Sequence, residues 1–222
     1  METKSCLAYT PRDIPPELAT LALTWHMHLP TDLPWEEGGA AVAKICLALL
    51  HTVHFLGIER VVLHPPAGEC GGRDALLLGA FARVWESAGR SCADVLLENI
   101  RENDLTGLGR CFAENSFGVC LDLGHMLAYR QKTLAAMVRK EEAPVWSHAP
   151  RMAHCNAPGS GLPGESRLSA HLPLDMLDAA GRELGEDLCR AVVPEGVLVA
   201  EFFDWQYITR SQALLTCWAR ST

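Results

Sequence analysis

The sequence predicts a parallel α/β fold, a TIM-type (β/α) barrel with a doubly wound open sheet as the alternative, and three observations predict it. Short apolar runs rich in β-formers alternate with longer helical stretches, the pattern of successive βα units. Gly57, Gly89 and Gly196 stand just before predicted strands, where the turn from a helix into the next strand belongs. Ionisable residues gather at the C-terminal ends of the strands.

Along the chain, strands are predicted at 6–9, 21–28, 60–64, 95–99, 118–123, 152–156 and 197–203. Helices are predicted between them at 39–56, 73–88, 105–115, 125–140 and 174–190, with a last one at 211–219. The stretch 157–169 is the longest irregular one and reads as an active-site loop. Seven strands fall short of the roughly eight that close such a barrel. Because the 6–9 run begins almost at the terminus, the expectation is a barrel whose first βα unit is lacking or shortened. One domain spanning 1–222 is expected.

Composition sets limits on function. A chain of 222 residues that is 49% hydrophobic and 21% charged is long enough to bury most of one large core. Its net charge of −8, from 27 acidic and 19 basic residues, opposes contact with a phosphate backbone and disfavours nucleic acid as a partner. The nine cysteines are odd in number, scattered and without a Cys-x-x-Cys pair, so they read as reduced thiols in the cytoplasm. Neither a segment of signal-peptide form nor an apolar run long enough for a bilayer is present, and no membrane partner is expected. The sequence has no Gly-x-x-x-x-Gly-Lys loop and no Gly-x-Ser-x-Gly elbow, which removes support for nucleoside-triphosphate and serine-hydrolase chemistry.

The polar strand ends carry the functional reading. Leu23-Thr24-Trp25-His26-Met27-His28 and Val61-Val62-Leu63-His64 end in imidazoles, and Val95-Leu96-Leu97-Glu98 in a carboxylate. Val119-Cys120-Leu121-Asp122, Met152-Ala153-His154 and Val197-Leu198-Val199-Ala200-Glu201 repeat the arrangement. In a barrel all strand C-termini surround one mouth, so these side chains converge although they lie far apart in sequence. A single strand-end His or Glu is ordinarily a hydrogen-bonded structural residue, but six together are costly to desolvate unless a cation compensates. His28, His64, Glu98, Asp122, His154 and Glu201 are therefore the candidate ligands of a divalent metal. Mixed imidazole and carboxylate donors suit zinc, manganese or iron, and such sites keep the open positions catalysis needs.

Gly118-Val119-Cys120-Leu121-Asp122-Leu123-Gly124-His125, preceded by Leu96-Leu97-Glu98-Asn99 and by His64-Pro65-Pro66, resembles the xylose isomerase-like TIM barrels and, within them, the endonuclease IV branch. The resemblance spans about residues 21–205. It implies a barrel fold in which His28, His64 and Glu98 bind one metal and Glu98 bridges to a second held by Asp122, His154 and Glu201. His125 and His171 match ligands of a third, although Ser169 stands where that branch has an acidic residue. The sugar epimerases of the superfamily use only the set corresponding to Glu98, Asp122, His154 and Glu201, and those four alone do not separate the two chemistries. The extra imidazoles His28 and His64 point to a multinuclear site, and paired metals suit in-line displacement at phosphorus.

The run His28-Leu29-Pro30-Thr31-Asp32-Leu33-Pro34-Trp35 resembles the cobamide-remodelling phosphodiesterases of this superfamily, which open the nucleotide loop of a corrinoid. The expected function is thus a metal-dependent phosphodiesterase acting on a corrinoid, with zinc or manganese as cofactor and Glu98 and Glu201 at the reacting centre. A single-metal sugar isomerase or epimerase, in which Glu98 and Glu201 exchange protons, is the second reading, and a non-catalytic binding protein on the same barrel the third. Trp35 and Trp205 are candidates to line an apolar substrate pocket, with packing as the alternative. Asn99 and Asn156, next to or two beyond a ligand, are candidates to orient substrate. Asp32 and Asp175 follow proline turns and read as helix N-caps. An opened barrel edge would favour an oligomer that covers it.

Overall fold

The structure is a computed structural model that describes residues 3–67, 72–146, 148–159, 170–192 and 194–220. The chain divides into two compact units, Met1–Leu97 with Arg110–Gly118, and Glu98–Gly109 with Val119–Thr222.

The first unit contains the helix α1 (Thr3–Leu7), the strand β1 (His26–His28), α2 (Gly39–Thr52), β2 (Arg60–Leu63) and α3 (Gly72–Ser87). It also contains all but the last residue of β3 (Val95–Glu98) and all but the first of α4 (Gly109–Asn115). β1 pairs in parallel with β2, Met27 opposite Val61, and β2 with β3, Val62 opposite Leu96. Val61, Val62, Leu63, Val95, Leu96 and Leu97 are fully buried, as expected of parallel strands covered on both faces. α2 buries Val42, Ala43, Cys46 and Leu49, and α3 buries Leu78, Phe81 and Trp85, apolar stripes at helical spacing. The two helices meet closely at Gly39, where a Cβ would land on the carbonyl oxygen of Leu77.

The second unit contains β4 (Gly118–Asp122) apart from its first residue, α5 (Leu123–Ala128), α6 (Lys132–Val138), β5 (Met152–Cys155), α7 (Ala179–Ala191), β6 (Val197–Ala200) and α8 (Trp205–Arg220). β4 pairs in parallel with β5, Asp122 opposite His154, and β5 with β6, Cys155 opposite Ala200. β4 and β5 are buried throughout, whereas β6 is half-buried. α7 turns Leu184, Leu188 and Cys189 inward, and its Gly185 admits the Trp218 ring of α8, which a Cβ there would strike.

The fold is a parallel (β/α) barrel type, as the sequence predicts. In each unit the strands pair in parallel, neighbours in the sheet are neighbours in the chain, and helices intervene. A doubly wound sheet reverses strand order at a switch point, and neither unit does.

Several expectations are corrected. Residues 6–9 are not a strand: Cys6 and Leu7 end α1, and Ala8 N–H donates to Ser5 and Tyr9 N–H to Cys6 in the turn that follows, so six strands lie among the described residues. The strand predicted at 21–28 pairs only at His26–His28, because its partner β2 begins at Arg60, after Gly57 has ended the preceding helical turn at φ 63°. The helix predicted at 125–140 is two helices, broken where Arg130 takes a left-handed φ of 52°. Asp32 is not a helix cap: it accepts from the Thr3 backbone N–H at 2.7 Å and hydroxyl at 2.6 Å, tying α1 to the segment after β1. Asp175 instead takes the Arg210 guanidinium at 3.0 and 2.9 Å.

The cysteines among the described residues form no disulfide. No helix among the described residues is long and apolar enough to cross a membrane.

Candidate metal centre

In the second unit the strand ends bring four side chains together. Glu98 closes β3, Asp122 closes β4, His154 stands beside Asp122 in the parallel register, and Glu201 follows β6 by one residue. One ligand atom from each of Glu98, Asp122, His154 and Glu201 lies within 4.8 Å of all the others. Glu98, Asp122 and His154 are buried, and Glu201 keeps 20% of its side chain exposed, so the cluster reaches solvent on the Glu201 side.

His154 is the hub. Its Nδ1 is 3.0 Å from Glu98 Oε1, 3.4 Å from Glu201 Oε2 and 3.9 Å from Asp122 Oδ2. Asp122 is also the N-cap of α5, its Oδ1 accepting from the His125 backbone N–H at 2.5 Å. This cap turns the chain so that the His125 ring comes back over the cluster, its Nδ1 at 3.8 Å from both Glu98 Oε1 and Asp122 Oδ1. His125 Nδ1 lies 2.8 Å from the Asn99 carbonyl, which places the proton on Nδ1 and the lone pair on Nε2. His171, held at a left-handed φ of 47°, brings Nδ1 to 3.3 Å from Glu201 Oε2. Despite that distance the nitrogen is buried without an aligned hydrogen bond among the described residues.

The electrostatics follow from packing three carboxylates out of water. Burial pushes the Asp122 carboxyl up to about 6, with the Glu98 and Glu201 charges adding to the rise and His125 and His154 opposing it. Burial opposes a charge on His154, yet the Cys120 thiol and the carboxylates around it raise its affinity for a proton well above the usual imidazole value. His171 is raised in the same sense against the effect of burial, by Glu201 first and then Asp122. Burial would raise Glu201, but the imidazoles of His154 and His171 beside it hold its carboxyl far below the usual range. The carboxylates thus favour positive charge at these imidazoles, as they would favour a cation among their oxygens.

Of the other predicted site residues, His28 and His64 lie in the first unit, their rings edge-on at 5.2 Å, with His28 Nδ1 at 2.8 Å from the Leu29 carbonyl. Trp35 lies there too, its indole N–H donating to the His64 carbonyl at 3.3 Å and its ring tilted against Phe81, so the segment it occupies braces His64. Asn99 is wholly buried: its amide donates to the Asp122 carbonyl at 3.1 Å and to Gln131 at 2.8 Å and accepts from the Asp122 N–H at 2.7 Å. That commits it to aligning the chain at Asp122. Asn156 donates to Asp122 and to Glu201. Trp205 begins α8 and is 79% exposed. Ser169, the departure at the third metal, lies outside the described residues.

Several residues at the centre escape a reading of the sequence. Gln131 follows the helix break and donates to the Ile100 carbonyl at 2.8 Å, locking Asn99 from behind. Cys120 sits two residues before Asp122 on the same strand face, a period-two position, and meets His154 there. Phe203 is 83% exposed yet lays its ring 4.6 Å from that of His171, and Tyr129 flanks His125 at 5.5 Å.

No family model and no curated protein sequence matches the chain. Solved structures do. A D-tagatose 3-epimerase-like protein superposes with a TM-score of 0.62 at 17% identity, covering 98% of this chain and 82% of its own. Endonuclease IV from Thermus thermophilus gives 0.59 at 20% identity, covering 97% of this chain and 88% of its own. The chain has the fold of the xylose isomerase-like barrels. A xylose isomerase domain containing protein from Salmonella typhimurium agrees, with a TM-score of 0.57 at 17% identity over 92% of this chain and 77% of its own.

The cluster fits a divalent metal on its own chemistry. It combines three carboxylates with an imidazole within one ion's reach, and beside it the buried Nδ1 of His171 has no aligned hydrogen bond among the described residues. Glu98, Asp122, His154 and Glu201 would hold the ion, with His125 and His171 at its margin.

Proposed function

We propose that the chain is a divalent-metal-dependent phosphodiesterase acting on the nucleotide-loop phosphodiester of a cobamide. The observation that carries the phosphodiesterase part is the surplus of donors. Beyond the four that suffice for one ion, His125 and His171 stand at the carboxylates, so the second unit alone offers three carboxylates and three imidazoles. A donor set of that size suits more than one ion. Divalent ions there would supply Lewis acidity toward phosphoryl oxygens and acidity to water, the requirements of in-line displacement at phosphorus.

The protein's own part is to hold, orient and exclude. Asp122 keeps one oxygen on the α5 cap, which fixes its plane, and Glu201, the most exposed carboxylate, faces the side from which substrate arrives. The exposed ring of Phe203 against His171 provides an apolar wall beside the metal ligands for a flat ring on the substrate. Removing this wall by Phe203→Ala is expected to raise KM by about 2–10-fold for a ring-bearing diester, the size of one aromatic contact, with metal affinity unchanged. The cobamide part of the proposal rests on the resemblance of the run from His28 to Trp35, and the acidic net charge of −8 supports a small-molecule substrate over DNA.

A second reading is favoured by one observation. Glu98, Asp122, His154 and Glu201 form a complete single-ion set, and one protein of the same fold is described as D-tagatose 3-epimerase-like. In that reading Glu98 and Glu201 exchange a proton beside a carbonyl carbon.

Incubating manganese- or zinc-loaded protein with a cobamide and following products by mass spectrometry separates the readings. The proposal expects a corrinoid lacking its nucleotide base, and turnover lost in His125→Ala. An intact cobamide together with epimerisation of a ketohexose would overturn it in favour of the second reading.

A further inference from the structure

We infer that Asn156, seated against Gly124, is the positioning residue that sets the spacing of Asp122 and Glu201 before any ion binds. Asn156 is wholly buried, two residues beyond His154, and one nitrogen serves both carboxylates: Nδ2 is 2.9 Å from Asp122 Oδ2 and 3.3 Å from Glu201 Oε2. The two hydrogens of that nitrogen bridge two groups that otherwise repel each other, and they assign one oxygen of each to the amide.

The amide has a single workable orientation. Turned over, it would set Oδ1 against two carboxylate oxygens. In the orientation present, Oδ1 is buried with no hydrogen-bond partner among the described residues, a cost that native structures seldom carry without a reason. What lies beside Oδ1 is Gly124, in the first turn of α5. A Cβ on Gly124 would land on the Asn156 amide, and the three atoms nearest to it would be Oδ1, Cγ and Nδ2 of that residue alone. The glycine therefore lets the turn capped by Asp122 close down on Asn156, and a side chain there would push the amide off the carboxylates.

This inference rests on the metal reading of the cluster but not on the choice between phosphodiester and sugar chemistry, so its test is equilibrium metal binding. Chelated full-length protein is titrated with Mn2+ by calorimetry, and the Co2+ form is examined by absorption. Asn156→Ala is expected to weaken Mn2+ binding by about 10–100-fold, the usual range for a residue that orients metal ligands, and to shift the Co2+ bands. Gly124→Ala is expected to weaken binding in the same range. The double variant should bind no more weakly than Asn156→Ala, because removing the amide removes all three of the atoms the new methyl would strike. Asn156→Leu, nearly the same shape without the hydrogens, guards against a collapsed cavity and should match Asn156→Ala. Wild-type affinity in Asn156→Leu, or additive losses in the double variant, would overturn the inference. Failure of the wild-type protein to bind Mn2+ or Co2+ at all would instead overturn the metal reading and the inference with it.

Discussion

Stripping divalent metal from the protein is expected to lower its melting temperature steeply at pH 8 and little at pH 5. An ion present at about a thousand times its Kd stabilises the folded state by about 4 kcal/mol, roughly 8–16 °C for a chain of this size. The pH dependence follows from the groups that stand in for the ion. His154 and His171 have raised proton affinities in the metal-free fold, and Asp122 is pushed up to about 6. Each binds its proton more tightly folded than unfolded, so each contributes stability that is present in acid and lost as pH rises through its folded value. Glu201, held low, works in the opposite sense, its contribution present above the ordinary glutamate value and lost only in strong acid. Between pH 5 and 8 the metal-free fold therefore weakens as protons leave the cluster, and an added cation restores what they supplied. Differential scanning calorimetry of chelated and reloaded protein at the two pH values measures this directly. A metal effect that is largest at pH 5 would contradict the assignment.

Asp122→Asn is expected to remove catalysis while leaving the fold in place. The asparagine retains an oxygen to cap α5 through the His125 N–H, so local structure survives, but the ion loses a charged ligand. Losing several kcal/mol of transition-state stabilisation corresponds to about a hundred- to ten-thousandfold in rate. Glu98→Gln should behave alike, since Glu98 Oε1 lies 3.0 Å from His154 Nδ1 at the heart of the cluster. Steady-state kinetics with far-UV circular dichroism as the control for folding tests both. Full activity in either variant would remove that carboxylate from the centre.

The parts of this fold that buried strands define were legible in the sequence. β2, β3, β4 and β5 read as unbroken apolar runs because both faces are covered, and each leads to a charged or imidazole side chain at or just after its end. Glu98, Asp122 and His154 are recognisable for that reason, and Glu201 because β6 keeps the same form.

Where the chain bends without glycine or proline, the sequence misleads. Leu105, Ser116, Arg130, Lys140 and His171 all take left-handed φ values that no local residue type announces. The break at Arg130 is what delivers Gln131 to Asn99, so the hydrogen bonds that hold Asn99 against the chain at Asp122 could not be read from the sequence. The 6–9 run failed for a related reason: four residues with strand-like composition have no strand to pair with and follow the helix begun at Thr3. The Gly124–Asn156 contact is likewise invisible in one dimension, since the two residues are far apart in the chain and nothing in either motif pairs them.

If Glu98, Asp122, His154 and Glu201 hold a resident ion, the metal content of the protein reports it. Protein chelated, reloaded with manganese or zinc, desalted and analysed by mass spectrometry for the element should retain an ion on every chain, and His154→Ala treated identically should retain almost none. Equal metal content in the two proteins would show that these four residues are not a metal site.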